Sequence, residues 1–249
     1  MGCIESRSPG NSESQSLKPK FLEILPAPKV SKDQDSEVLS DARGNDIEEY
    51  GNNLIYNANW ANCIEKQGIS VKTKMGSVFN SIIPVTLAFI EFDELIPTKF
   101  IIDMLYNPIM RMKWDDTVLE MSLVNKVSEN LSIIRLVKKF PFISREFLFK
   151  VYIRNHTCES SVSAYSIKSS QIQTSNKCER GEVMFAFTKI MPRSNHTAIV
   201  LMQQIDNKLP QKPELANVEF CQWANLFKTK LQKIRETDPE SQGKVKADN

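Results

Sequence analysis

The sequence lacks any apolar run long enough to cross a bilayer, and it lacks the apolar core of a secretory signal peptide. A membrane-spanning helix needs about 20 consecutive apolar residues, so we expect no transmembrane segment. Without a signal peptide, we expect that the protein is not secreted. The sequons at Asn130, Asn155 and Asn195 are then not glycosylation sites, because that modification belongs to secreted proteins.

An excess of charge of one sign is also missing. The 32 lysines and arginines nearly balance the 30 aspartates and glutamates, which leaves a net charge of +2. Proteins that bind nucleic acid carry a basic patch or stripe, so we expect no nucleic-acid partner. Apolar residues make up 41% and charged residues 25% of the chain, as in ordinary globular proteins. We also expect the protein to be a monomer.

Residues that carry metal or acid–base chemistry are scarce. The five cysteines are odd in number and share no short spacing, which is typical of free thiols in a reducing compartment. His156, Cys158 and Cys178 do not form the close pairs of a zinc site, and a fourth ligand is missing. The other histidine, His196, also has no evident acid–base partner. We therefore expect no metal, no cofactor and no catalytic residue.

The first six residues, M-G-C-I-E-S, fit the pattern of an N-myristoylated protein. Removal of Met1 exposes Gly2, which takes the myristoyl chain. One such chain binds a membrane only marginally, so stable anchoring needs a second signal. Basic and acidic residues nearly balance over residues 1–36, which excludes a polybasic patch as that signal. Cys3 is the expected second anchor, as a palmitoylation site.

Composition divides the chain into three parts. Residues 1–37 are rich in Ser, Pro, Lys and Asp, a composition that cannot bury enough surface to fold, and we expect a flexible acylated tether. Residues 38–237 form one domain, and 238–249 form a polar tail.

Hydrophobic spacing predicts a helix over 46–66, strands over 69–75 and 84–92, and a helix over 97–106. Six further strands are predicted over 119–127, 131–138, 146–153, 161–167, 182–190 and 197–205, followed by a long helix from Pro213. This order indicates an α+β fold. A curved antiparallel sheet with one amphipathic helix across its concave face can enclose a cavity.

Three segments carry a resemblance to a known family. Residues 107–115 resemble the R-x-x-W-D segment of START domains, the steroidogenic acute regulatory protein-related lipid-transfer family. Residues 139–147 are similar to its P-x-x-x-R-D-[FY] stretch, with Glu146 in place of Asp. Residues 205–210 are similar to its D-x-x-G-x-[IL]-P, with Lys208 where glycine is common. The resemblance implies a helix-grip fold whose C-terminal helix closes a hydrophobic tunnel around one lipid.

The motifs are most similar to those of phosphatidylcholine-transfer members, in which the arginine at the Arg111 position contacts the lipid phosphate. Arginine suits that task because its planar fork makes two parallel bonds to phosphate; the alternative is that Arg111 pairs with a carboxylate in the domain wall. Two positions of the choline cage fall on Leu136 and Phe147. Leucine cannot make a cation–π contact, which leaves other head groups and sterols open.

The apolar stripe of the last helix is expected to serve both packing and ligand binding. It consists of Phe220, Trp223, Phe227, Leu231 and Ile234, at spacings of 3, 4, 4 and 3. We expect the first three of these to line the tunnel. Trp114 and Asp115 are expected to anchor an element junction rather than to touch ligand.

The expected function is that of a lipid-binding module anchored to the cytoplasmic face of a membrane, which transfers or senses a phospholipid or sterol there. Two alternatives remain open at this point. One is a non-catalytic adaptor that uses the fold for protein contacts. The other is an enzyme, since a helix-grip cavity can host chemistry.

Overall fold

The computed structural model describes residues 42–56, 59–74, 82–169, 172, 174 and 178–237. The predicted tether and tail, with Gly2 and Cys3, lie outside these residues. The helices are α1 (Ala42–Tyr56), α2 (Thr98–Tyr106), α3 (Pro108–Trp114) and α4 (Pro213–Thr237). The strands are β1 (Ala61–Lys66), β2 (Ile69–Lys74), β3 (Val85–Phe92), β4 (Val118–Lys126), β5 (Leu131–Phe140), β6 (Ile143–Asn155), β7 (Ser160–Ser166), β8 (Glu179–Arg180), β9 (Glu182–Pro192) and β10 (Thr197–Asp206).

The strands form one sheet in the order β1-β2-β3-β10-β9-β7-β6-β5-β4. Neighbours along this path are antiparallel, and the short β8 pairs in parallel with β6. Helix α4 packs against β1, β2 and β3. The predicted α+β class, with a long antiparallel sheet and a C-terminal helix across it, is therefore confirmed.

The two faces of the sheet support different helices. Successive residues of a strand point to opposite faces, and β10 shows this division clearly. Ile199 and Leu201 belong to the core cluster beneath α2, α3 and α4, whereas Val200 and Met202 belong to the cluster beneath α1. Helix α1 thus covers the face opposite to α4, where it packs on β7 and β9.

The predicted helix over 46–66 is wrong in its second half. Helix α1 ends at Tyr56, and residues 61–66 form the edge strand β1, which pairs with β2. Most side chains of β1 are exposed, so the segment carries no apolar alternation that would identify a strand. Its conformation depends on the hairpin turn at Gln67-Gly68, where both residues have positive φ (51° and 72°), as in a type I′ turn.

Helix α3 was not predicted, although the sequence contains its start signal. The Asn107 side chain accepts hydrogen bonds from the amides of Ile109 and Met110, which is the usual chemistry of an N-cap. Pro108 follows at the first helical position, where its missing N–H costs nothing. This cap positions Arg111 and Trp114 on a single short helix.

Among the helices that the structure describes, none combines the length and the apolar character of a membrane span.

Candidate functional site

A cavity of about 230 Å³ lies between α4 and the sheet face that α4 covers. Its wall is mainly apolar, and strands β5, β6, β9 and β10 supply about half of the lining residues. The apolar side chains include Met121, Leu136, Phe140, Phe147, Phe149, Val183, Leu201, Ile205 and Phe220. One part of the wall is formed by Tyr106, Arg111, Lys138, Glu219 and Trp223. Further polar side chains line the cavity as well: Thr86, Thr188, Gln203, Asn207 and Gln211. Such a wall suits an amphiphile with an apolar body and a polar head.

The structure brings together five of the six residues that the sequence assigned to ligand binding. Those that line the cavity are Arg111, Leu136, Phe147, Phe220 and Trp223. Phe227 is fully buried but does not line the cavity. Its ring lies 5.8 Å from that of Trp223 and 5.3 Å from that of Trp114. Phe227 therefore supports Trp223 from the core.

Arg111 is held on several sides. Its Nη2 donates to Oδ2 of Asp115 at 2.7 Å, and its Nη1 donates to the Leu105 carbonyl at 3.4 Å. The guanidinium carbon lies 4.5 Å from the ring centre of Trp114 and 5.1 Å from that of Trp223. The alternative considered for Arg111, an ion pair with a carboxylate in the domain wall, is therefore present. The same side chain also lines the cavity. Contact with a lipid phosphate stays a prediction.

Asp115 is buried and joins three elements. Its Oδ1 accepts from the Thr117 amide at 3.1 Å, and its Oδ2 accepts from the indole of Trp223 at 3.1 Å as well as from Arg111. Burial by itself would raise the pKa of the Asp115 carboxyl. The charges of Arg111 and Lys138, with the hydrogen bonds from Thr117 and Trp223, outweigh burial and lower that pKa to about 2.

Lys138 is a cavity residue that the sequence analysis missed. It follows Leu136 by two positions on β5, and Phe140 follows two positions later, so all three side chains share one face. All three line the cavity. Burial lowers the pKa of the Lys138 amine, and Arg111 lowers it further, while Asp115 and Glu219 act to raise it. The sequence did contain a signal for Lys138. Side chains two positions apart on a strand share one face, so the assignment of Leu136 to the cavity also predicts Lys138 there.

Tyr106 completes the polar part of the wall. Its hydroxyl lies 3.1 Å from the Oγ1 of Thr188, and both residues line the cavity. Burial raises the pKa of the Tyr106 phenol, so the hydroxyl stays protonated. Tyr106 can therefore donate or accept a hydrogen bond at the polar end.

The two other family-like segments stabilise the sheet beside the cavity. Glu146 is fully buried and accepts from Arg135 at 2.8 Å and from Arg180 at 2.5 Å. Arg145 donates to the Asn207 carbonyl at 2.8 Å, which connects β6 to the loop after β10. The Glu146 side chain thus keeps a carboxylate where the family pattern has Asp.

The histidines take no part in this cavity. His156 has a partner that the sequence analysis did not find: its Nε2 lies 2.6 Å from Oε1 of Glu48, 108 residues away. Glu48 also accepts from the Ser161 hydroxyl at 2.6 Å. His196 is half-buried and lies 3.0 Å from the neighbouring Asn195 side chain. Neither histidine lines the cavity. A group of three or more side chains placed to bind a metal ion is absent from the described residues.

A family model for the START domain matches residues 45–215, a span that contains most of the cavity wall. The chain belongs to the START domain family. This START domain has the helix-grip fold that the three sequence segments implied. A search among curated proteins finds no matching sequence.

Solved structures show the same fold. The START domain is similar to human STARD10, with a TM-score of 0.68 and 15% identity over 81% of this chain and 84% of that one. It is similar to the human StAR-related lipid transfer protein 5, with a TM-score of 0.65 and 17% identity over 78% and 97% of the two chains. The lipid transfer and protein localization domain of human StarD13 has a TM-score of 0.59 and 16% identity over 75% and 94%. At such low sequence identities, the similarity to these structures shows a shared fold alone.

Proposed function

We propose that this START domain holds one lipid in the cavity beneath α4 and is anchored to the cytoplasmic face of a membrane by acylation at Gly2 and Cys3. There it transfers or senses lipid. The observation that carries the proposal is a largely apolar cavity with a polar end formed by Tyr106, Arg111 and Lys138, on a fold whose family binds lipids. The ligand is a phospholipid, a sterol or another lipid.

The size of the cavity implies that α4 must adjust on loading. A volume of about 230 Å³ lies below the range of about 300–1,000 Å³ for small-molecule sites. A two-chain lipid buries roughly 30 methylene groups, each worth about 0.8 kcal/mol. That gain favours widening of the cavity at the N-terminal half of α4, where Ala216, Glu219 and Phe220 form part of its wall.

Exposed apolar side chains adjoin the cavity and provide a route for membrane contact. Phe142 is fully exposed in the turn after Phe140, which lines the cavity. Leu215 and Val218 are exposed on α4 beside the cavity residues Ala216 and Glu219. Exposed apolar patches of this kind mark binding sites for membranes or proteins. We infer that this edge of the domain faces the lipid surface during exchange.

The proposed membrane anchor limits where the domain can bind and release lipid. Two acyl chains hold a protein on a bilayer far longer than one, so the anchored domain acts close to that bilayer. An anchored domain favours local presentation, or transfer across a close membrane contact, over shuttling through the cytoplasm. The phosphate contact of phosphatidylcholine-transfer members falls on Arg111, while Leu136 departs from their choline cage.

The adaptor and the enzyme are less well supported. An adaptor needs no hollow interior, whereas this domain has an apolar cavity. Acid–base catalysis needs paired groups that face a substrate, and the His156–Glu48 pair lies outside the cavity wall. We therefore propose a non-catalytic lipid-binding role.

Native mass spectrometry of the full chain, purified from a eukaryotic host, tests the proposal. We expect a species that carries two acyl groups and one lipid, and we expect transfer of that lipid between vesicles. A cavity that is consistently empty, without transfer, would refute lipid binding.

The anchor is tested separately with Gly2→Ala, which removes the myristoyl acceptor. We expect this variant to leave the membrane fraction while it still binds lipid. A Gly2→Ala protein that stays fully membrane-bound would refute anchoring by acylation and leave lipid binding untouched.

A further inference from the structure

Lys138 brings a second positive charge to the polar end of the cavity. The side chain lines the cavity and is half-buried. It makes no hydrogen bond or ion pair with any residue that the structure describes. A partly desolvated ammonium group without a hydrogen-bonded partner costs free energy, so its position favours a ligand that supplies the partner.

The charges around Lys138 leave this group uncompensated. Asp115 is the buried carboxylate nearby, and it already forms a 2.7 Å ion pair with Arg111. Glu219 interacts with Lys138 over a longer distance, but its side chain is exposed, so solvent screens its charge. The Arg111 Nε is also buried without a partner among the described residues. Arg111 and Lys138 therefore line this end of the cavity with only one buried carboxylate, Asp115, beside them. Glu219 also lines the cavity but is exposed, so one bound anion would balance the buried charges.

Two of the aromatic rings that line the cavity, those of Trp223 and Phe140, already lie against the protein's own cations. Arg111 lies over the ring of Trp223 at 5.1 Å, and the Lys138 amine lies 6.0 Å from the ring centre of Phe140. A choline or ethanolamine group placed at either ring would meet a like charge at close range, which is unfavourable. Leu136, on the same face as Lys138, offers no π system.

Resting on the proposed lipid-binding function, we propose that the ligand is an amphiphile whose head is a compact oxyanion without an ammonium group. Lys138 and Arg111 hold this anion at the polar end of the cavity, and the acyl part occupies the apolar wall. A phosphate monoester or a carboxylate meets this description. Phosphatidylcholine does not, because its head carries a quaternary ammonium beyond the phosphate.

The test measures lipid uptake by the full-length chain from three kinds of vesicle. One contains phosphatidylcholine alone, the second also contains phosphatidic acid, and the third also contains oleic acid. Native mass spectrometry identifies the bound species. We expect phosphatidic acid or oleic acid to be taken up in preference to phosphatidylcholine, and the two arms distinguish a phosphate from a carboxylate.

A matched pair of variants assigns the preference to Lys138. Lys138→Met keeps an unbranched side chain but removes the charge, whereas Lys139→Met removes the neighbouring exposed charge. A hydrogen bond to a charged group is worth enough to change affinity about tenfold or more. We therefore expect Lys138→Met to lose the preference for the anionic lipid by about tenfold, and Lys139→Met and Lys138→Arg to retain it.

The outcomes separate the two proposals. Uptake of phosphatidylcholine or a sterol in preference to anionic lipids, or an anionic preference that survives in Lys138→Met, would overturn the head-group assignment and leave lipid binding in place. Failure of the wild type to take up any lipid would overturn both. Should Lys138→Met not fold, the preference of the wild type and of Lys138→Arg decides the question.

Discussion

Trp223 on α4 donates a hydrogen bond from its indole nitrogen to the Asp115 carboxylate, 3.1 Å away. The same carboxylate oxygen pairs with Arg111 at 2.7 Å. One buried side chain thus holds the helix above the cavity and positions the arginine inside it. Closure of the cavity and orientation of its polar end depend on the same group.

Removal of that carboxylate should destabilise the domain. We expect Asp115→Ala to lower the free energy of unfolding by about 3 kcal/mol, because it leaves the Arg111 charge buried without its partner. Urea unfolding measures this loss. The control is Asp116→Ala, which removes an exposed neighbour and should change stability by less than about 0.5 kcal/mol. Equal stabilities of the two variants would contradict the central role of Asp115.

The same ion pair predicts a specific acid dependence. The folded-state pKa of Asp115 is about 2, below its ordinary value of 3.8. A depressed pKa stabilises the folded state above pH 3.8, and this contribution is lost as the pH falls toward 2. The difference in unfolding free energy between wild type and Asp115→Asn should shrink by about 2 kcal/mol over that interval. A difference that stays constant from pH 5 to pH 2 would show that Asp115 does not titrate in this way.

The exposed ring of Phe142 should contribute to membrane contact. In the Gly2→Ala background, which removes the acyl anchor, we expect Phe142→Ser to weaken binding to vesicles about tenfold, since burial of a phenylalanine is worth about 1.5–3 kcal/mol. Vesicle co-sedimentation measures this. Leu95→Ser removes an exposed apolar side chain near Thr197, at the opposite end of β10 from the cavity residue Ile205, and should have no effect. Weakening by both variants alike would refute a defined docking edge.

Helix α1 should tolerate no side chain at Gly51. A Cβ at this position would lie 2.4 Å from Cδ1 of Phe187, whose ring is fully buried. We expect Gly51→Ala to lower the free energy of unfolding by about 1–3 kcal/mol, although alanine is the better helix former by about 1 kcal/mol. Denaturant titration distinguishes the two effects, with Glu49→Ala at an exposed position of the same helix as control. A stabilised Gly51→Ala would mean that propensity outweighs the contact.

Local signals in the sequence predicted much of the strand and helix framework. The strand alternation from Ile69 and the apolar stripe of α4 were both confirmed, because each depends on a period that a single element imposes on its own residues. The segment 61–66 was misassigned, since an edge strand with exposed side chains has no such period. Its pairing with β2 supplies the structure that its composition does not indicate.

Lys208 departs from the family pattern in a way that the sequence could identify but not explain. The sequence analysis noted lysine where the family pattern has glycine. In the structure Lys208 has a φ of 58°, a left-handed conformation that glycine adopts without strain. Its amide donates to Oδ1 of Asp206 at 2.8 Å, and its Nζ pairs with Oδ2 of the same residue at 2.5 Å. These contacts with Asp206 help to offset the cost of the conformation.

The sequence by itself determined the α+β class, the three family segments and five residues of the cavity wall, because periodicity and short motifs are local properties of a chain. Tertiary structure decided what no local pattern contains. It placed Phe227 behind the wall, joined Glu48 to His156 across 108 residues, and brought Lys138 beside Arg111 and Asp115. The physical reason is that the charge balance of a buried site depends on which distant groups share one desolvated space.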